Sequence, residues 1–237
     1  VAEPLAPTLL PVVGGVIHML DEGTRRRWRV DVAPFLLGET PVTRALYAAV
    51  TGRRAPGDDV DLRPQTDVSW VDCARFCNAL SRRHGFDPCY DDDALAAVAV
   101  NDVDVAGVAA DVARSGFRLP TEAEWEFACR AGSDEPRYGD LDAIAWHRGN
   151  SGEQLQPVRT RAPNAWGFFD LIGNVWEWCE DRFDEERYRT YRVFRGGGFV
   201  DLPHACRASC RRKSHPRYAA EDIGFRVARA VPKGSAG

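Results

Sequence analysis

The chain has 237 residues, 44% of them hydrophobic and 28% charged, with a formal net charge of −4 at pH 7. That composition suits a globular protein, gives no case for nucleic acid as a main partner, and holds no apolar run near the ~20 residues of a membrane helix. Seven cysteines spread over the whole length do not make the dense, even framework of a small disulfide scaffold, so a reducing compartment with at most one disulfide is expected.

Residues 8–37 read as short strands, with apolar clusters such as Val12-Val13 and Phe35-Leu36-Leu37 broken by Gly14-Gly15. Thr43 is placed to cap a helix running to Val50, which Gly52 stops. Ser69 with Asp72 three residues on has the form of a capping box. Trp70, Ala74, Cys77 and Leu80 mark the buried stripe of the helix that follows, and Arg82-Arg83 before Gly85 suit its C-terminal end. Residues 86–115 lack clean periodicity and are expected to form a surface insertion with a hairpin or a short helix. Thr121 with Glu124 repeats the capping pattern, Trp125, Ala128 and Cys129 supply the apolar face, and Gly132 ends the run. From residue 137 onward glycine, tryptophan and arginine are dense, so loops and short strands are expected. No linker or internal repeat divides the chain, which favours one domain.

The most informative stretch is Gly173-Asn174-Val175-Trp176-Glu177-Trp178, followed by Arg195-Gly196-Gly197-Gly198. A glutamate between two tryptophans is stranded if buried, unless a cation or a hydrogen-bond network meets it. Asp170, the Asn174 amide and loop carbonyls nearby are the oxygen donors Ca²⁺ accepts. A tryptophan-rich core corner, with Glu177 capping backbone amides, is the other reading.

Several segments together are similar to the formylglycine-generating enzyme family, also called sulfatase-modifying factors. They are Pro41–Tyr47, Val68–Ala74, Phe117–Glu126, Pro163–Gly167, Gly173–Trp178, Phe194–Gly197 and Ile223–Arg226, in family order. The resemblance implies an α+β, C-type-lectin-like fold with little regular secondary structure, spanning residues 8–231 as one domain with flexible ends at 1–7 and 232–237. It also implies a structural Ca²⁺ held by the side chains of Asp170 and Glu177 and the carbonyls of Gly173 and Val175. A second site would involve Asn150 and Ser151.

Members that make formylglycine bind Cu(I) through two cysteine thiolates shortly after a Gly-Gly-Ser turn. Here the serine position is Gly198, the first ligand position is Asp201 and the second is Cys206. Counted back from Arg207, the second position falls on Pro203 instead. Either way one thiolate is missing, and carboxylate is a poor ligand for Cu(I). Formylglycine synthesis is therefore not expected, unless Cys206 and Cys210 form a replacement pair.

Asp201, His204 and His215, with His147 further upstream, offer an alternative set for Fe²⁺ and oxygen chemistry. The basic residues Arg207, Arg211, Arg212, Lys213 and Arg217 could draw an anionic peptide or small molecule to a cleft lined by Trp166 and Trp176. Two functions stay open. One is a diverged oxidoreductase using Cys206, Asp201, His204 and His215 with Fe²⁺ or Cu⁺. The other is a Ca²⁺-stabilised lectin-like module that binds a peptide, small molecule or partner protein without chemistry. Arginine far outnumbers lysine and no signal-peptide pattern is visible, so a bacterial cytoplasmic protein is expected.

Overall fold

The computed structural model describes residues 6–52, 61–100 and 107–231. Most of both expected flexible ends falls outside these; Ala6 and Pro7 are described and have no regular structure.

Four strands open the chain: β1 (Leu9–Val12), β2 (Gly15–Leu20), β3 (Arg27–Val32) and β4 (Phe35–Gly38). Helices α1 (Arg44–Thr51), α2 (Trp70–Arg83) and α3 (Asp92–Val100) follow, then β5 (Phe117–Arg118), α4 (Glu122–Arg130) and the single turn α5 (Leu141–Ile144). No helix or strand covers residues 145–175. The C-terminal part holds β6 (Trp176–Arg182), α6 (Glu185–Tyr188), β7 (Arg192–Arg195), β8 (Arg211–Ser214), β9 (Ile223–Gly224) and β10 (Ala228–Ala230). This is an α+β fold with little regular structure.

The helix starts follow local chemistry. Thr43 accepts from the Leu46 amide, and Gly52 closes α1 at φ 69°. Ser69 with Asp72, and Thr121 with Glu124, form complete capping boxes on α2 and α4. The left-handed turn ending α4 begins one residue earlier than expected, at Ala131 with φ 45°. Among the described residues of 86–115 the short helix α3 forms and no strand does. The segment is also more than a surface insertion, because Cys89, Tyr90, Leu95 and Val108 are buried in the core. Tyr90 donates its hydroxyl to Glu180 at 2.7 Å and accepts from the Leu119 amide at 3.0 Å, which ties the segment to β6 and to the turn before α4.

The strands make three sheets, ordered β1-β4-β10-β5, β2-β3 and β8-β7-β6-β9. The last strand thus sits between β4 and β5, antiparallel to both. Trp70, Trp176, Trp178, Phe76 and Phe225 anchor one apolar cluster, and Trp125, Phe35, Phe168 and Leu171 the other.

Buried ion pairs thread through this core. Arg118 grips Glu124 with two bonds of 2.6 Å. Fully buried Arg195 reaches Glu122 and Glu126. Removing one partner of such a pair strands the other and costs roughly 3–5 kcal/mol. The arginines therefore act as internal struts across a core with short helices and strands.

Candidate functional site

The loop after β7 turns on two glycines that need left-handed backbone, Gly196 at φ 105° and Gly197 at φ 84°. A Cβ on Gly197 would meet the Cys206 sulfur at 2.9 Å. The turn therefore packs directly on the position where the resemblance placed a metal ligand.

Asp201 holds this loop shut. Its Oδ2 accepts from the Trp176 indole N–H at 2.6 Å and from the Gly198 amide at 2.9 Å, while Oδ1 accepts from Arg212 at 2.9 Å. The Arg212 guanidinium lies 4.5 Å from the centre of the Trp176 ring, so Asp201, Arg212 and Trp176 form a closed triangle. Both carboxylate oxygens serve protein donors.

The four residues expected to share chemistry do not converge. Cys206 is wholly buried, and burial, with Asp201 adding to it, pushes its thiol up to about 12. Cys210 is shifted upward too, again mainly by burial. Thiols that stay protonated are poor Cu(I) ligands and poor nucleophiles. His204 is exposed. His215 packs edge-on against Tyr191 at 6.1 Å and accepts from the Arg217 amide through Nδ1. Among the described residues no three His, Cys, Asp or Glu side chains gather into a group able to hold a metal. His147 is likewise committed, accepting from the Gly149 amide at Nδ1 and facing Asp142 through Nε2 at 2.8 Å.

The expected cleft residues separate as well. Trp176 is fully buried, so it lines no cleft, and Trp166 is 38% exposed and packs on Phe127 instead. Arg211 is used up by two bonds to Glu122 and one to Asp21. Arg207 binds Glu22 and the His204 carbonyl. Leu202 and His204, which follow Asp201 in the loop, and Arg212 of the triangle are exposed. Asp222 belongs to the same corner and was not singled out from sequence. Its Cβ lies 3.3 Å from where a Gly198 Cβ would stand, and burial followed by the Asp201 charge shifts its carboxyl upward. Its place just before Ile223-Gly224-Phe225-Arg226 was the available signal.

The Trp-Glu-Trp corner finds its cation within the chain. Arg226 binds both oxygens of Glu177, and Trp125 donates its indole N–H to Oε2 at 2.8 Å. Glu177 caps no backbone amide and has no free oxygen to give an ion.

Asp170 differs. It accepts only from the Arg159 amide and the Asn174 side-chain amide, and burial raises its carboxyl to about 6. The Tyr138 hydroxyl, which the Asp170 charge reaches, is buried beside the Ile172 backbone amide, with no well-formed hydrogen bond among the described residues. Asp170, a buried carboxylate with no ion pair among the described residues, is the oxygen donor here that suits a hard cation; the Gly173 carbonyl already accepts from the Val175 amide, and both Glu177 oxygens are paired with Arg226. At the second expected site, Asn150 bonds to the His147 amide, Asp142 and the Ala145 carbonyl, and Ser151 to the Phe199 carbonyl.

Residues 2–231 match the model of the Sulfatase-modifying factor enzyme 1-like domain. The chain belongs to this family. It is 29% identical to the chaperone protein LppX of Paenibacillus barcinonensis over 229 residues, covering 85% of this chain and 82% of that protein. It is 33% identical to the inactive C-alpha-formylglycine-generating enzyme 2 of Bos taurus over 216 residues, 81% of this chain and 59% of that one. Among solved structures, Treponema denticola variable protein 1 superposes with a TM-score of 0.85 at 29% identity, covering 98% of each chain. The chain spans half or less of the length of other family relatives it matches.

Proposed function

We propose that this family member is a binding module that has given up cysteine oxidation. The observation that carries this reading is Asp201, at the position where the resemblance implies a copper ligand, which spends both carboxylate oxygens on Trp176, Gly198 and Arg212. A site built for oxygen chemistry needs an open coordination position or an ionised thiol, and here the thiol of Cys206 is buried and protonated. That weighs against a diverged oxidoreductase using Cys206, His204 and His215. Two relatives lend support by name, one an inactive formylglycine-generating enzyme and one a chaperone.

The face beside the locked triangle is the binding surface in this reading. Leu202 is 50% exposed, with His204 in the same loop and Arg212 of the triangle exposed as well. Arginine beside an exposed apolar residue is a combination that anchors protein interfaces, so the partner class is a protein or peptide. A Ca²⁺ ion at Asp170 would brace the loops beneath without taking part in chemistry.

Oxygen uptake with a cysteine-bearing peptide, together with Cu and Fe analysis of protein purified without chelator, tests the proposal. No uptake, and neither metal near one per chain, is the expected result. Conversion of the peptide cysteine to an aldehyde overturns it.

A further inference from the structure

A groove of about 970 Å³ lies away from the Asp201 corner, between the β2–β3 hairpin, the start of α4, and the α6 and β8 segments. Three features of it point to a ligand.

One wall is an open strand edge. β3 pairs with β2 alone, and no other backbone group among the described residues bonds to Arg27–Val32. Trp28, Val30, Asp31 and Val32 all line the groove. Trp28, Val30 and Val32 share the inward face of the hairpin with Met19 of β2, and Asp31, of the opposite parity, also lines the groove, so the groove reaches from that face round to the unpaired edge. Unpaired edges of this kind accept an added strand.

Among the less exposed carboxylates at or behind the floor, one, Asp181, has no ion pair within 4 Å. Glu122 is held by Arg195 and Arg211, Glu124 by Arg118, and Glu180 by Arg192. Asp181, among them, accepts only the Glu122 amide, through Oδ2. Its Oδ1 has no protein donor among the described residues.

The groove's own cations are engaged elsewhere. Arg211 is paired with Glu122 and Asp21, and Arg182 with Glu185. The Lys213 ammonium sits over Phe183 and Tyr188, 4.3 and 4.1 Å from the ring centres. Eight acidic residues line the groove against five basic ones, so a cationic guest is favoured over an anionic one. The rings of Trp28, Phe183 and Tyr188 already carry Arg26, Arg187, Arg211 and Lys213, so the carboxylates and not the rings would select the guest.

We propose that this groove binds an extended peptide segment bearing lysine or arginine, added as a third strand beside β3 with one cationic side chain set against Asp181. Main-chain bonds to β3 would give affinity, and the Asp181 contact would select for charge. The site is independent of the Asp201 face, so failure of either reading leaves the other standing.

The test is calorimetric titration of the intact protein with a short synthetic peptide alternating threonine and valine around one central arginine. Counterparts carry glutamate at the centre or N-methylated amides at alternate positions, and arginine amide serves as the free cation. The arginine peptide should bind, with the glutamate and N-methylated peptides weaker by about tenfold or more, equivalent to about 1.4 kcal/mol. Asp181→Asn keeps an acceptor for the Glu122 amide and should lose a similar factor with its melting temperature at neutral pH preserved. Hydrogen exchange should slow at β3 amides when the arginine peptide is bound. Equal affinity for the arginine and glutamate peptides overturns the proposal, as does unchanged binding by Asp181→Asn. Arginine amide binding as tightly as the peptide, or no binding by any probe, also overturns it.

Discussion

Arg226 clasps both oxygens of Glu177, with Nε to Oε2 at 2.6 Å and Nη2 to Oε1 at 2.7 Å, and neither side chain is exposed. The same guanidinium donates to the Gly38 and Phe169 carbonyls, so one side chain joins β4, the loop before β6, and β6 itself. Arg226→Ala should destabilise the fold by about 3–5 kcal/mol, because it leaves a charge buried between two tryptophans. Paired replacement by Glu177→Gln and Arg226→Met should cost less than the two single changes summed. Denaturant midpoints of the four proteins measure this, and simple additivity would contradict it.

The Asp201 triangle predicts a local effect. Asp201→Ala removes the acceptor for the Trp176 indole, the Gly198 amide and Arg212. Leaving such donors unpaired costs roughly 1–3 kcal/mol. Hydrogen exchange should accelerate at residues 196–201 and remain as before at α2, whose capping box lies outside the loop. An unaltered exchange rate at Gly198 would show that Asp201 does not lock the turn.

The pH dependence follows chiefly from two of the raised carboxyls, Asp181 at about 7 and Asp170 at about 6, both shifted mainly by burial; Glu180 and Asp222 are raised by the same cause. Glu122 and Glu124 of α4 and Glu180 of β6 push Asp181 further in the same direction, while Arg192 of β7 is the cation it senses. Glu177 raises Asp170, and Arg226 with the Arg159 and Asn174 amides opposes it. An acid whose pKa rises on folding holds its proton more tightly in the native state. Its contribution is complete below the unfolded value of 3.8 and is lost as pH climbs through the folded one. The melting temperature should therefore fall between about pH 5 and about pH 8, and Asp181→Asn should flatten part of that slope. A slope untouched by this change would mean Asp181 ionises normally.

Calcium gives a separate prediction at the Asp170 end of the corner. Added Ca²⁺ should raise the melting temperature of the wild-type protein through mass action on the folded state. Asp170→Asn should remove most of that response. A wild-type curve identical with Ca²⁺ and with chelator would leave Asp170 as an uncompensated buried acid and nothing more.

Features set by a few neighbouring residues were legible in the sequence. The boxes Ser69–Asp72 and Thr121–Glu124, and the stop at Gly52, depend on side chains bonding to their own helix, so spacing alone reveals them. That a buried Glu177 needs either a cation or a hydrogen-bond network was equally readable. Its source was not, because Arg226 lies 49 residues away and nothing local points between the two. The same limit hid the role of Tyr90, which looked like part of a polar insertion and proved to link α2, β6 and the turn before α4. Asp201 stood out in the sequence as a departure from the copper-binding pattern that the resemblance implies. Whether it served a metal or a tryptophan depended on the Trp176 indole and Arg212 meeting in space. The open groove escaped sequence reading for a similar reason, since its edge, floor and wall come from four distant segments.

One consequence concerns biosynthesis. β10 fills the gap between β4 and β5, and Arg226 is the counter-ion for Glu177. Neither can act until the ribosome has translated nearly the whole domain. Until then the nascent chain carries its tryptophan-rich segments with their final sheet unfinished, so this protein should lean on holding factors at the exit tunnel more than a fold that assembles from its N-terminus.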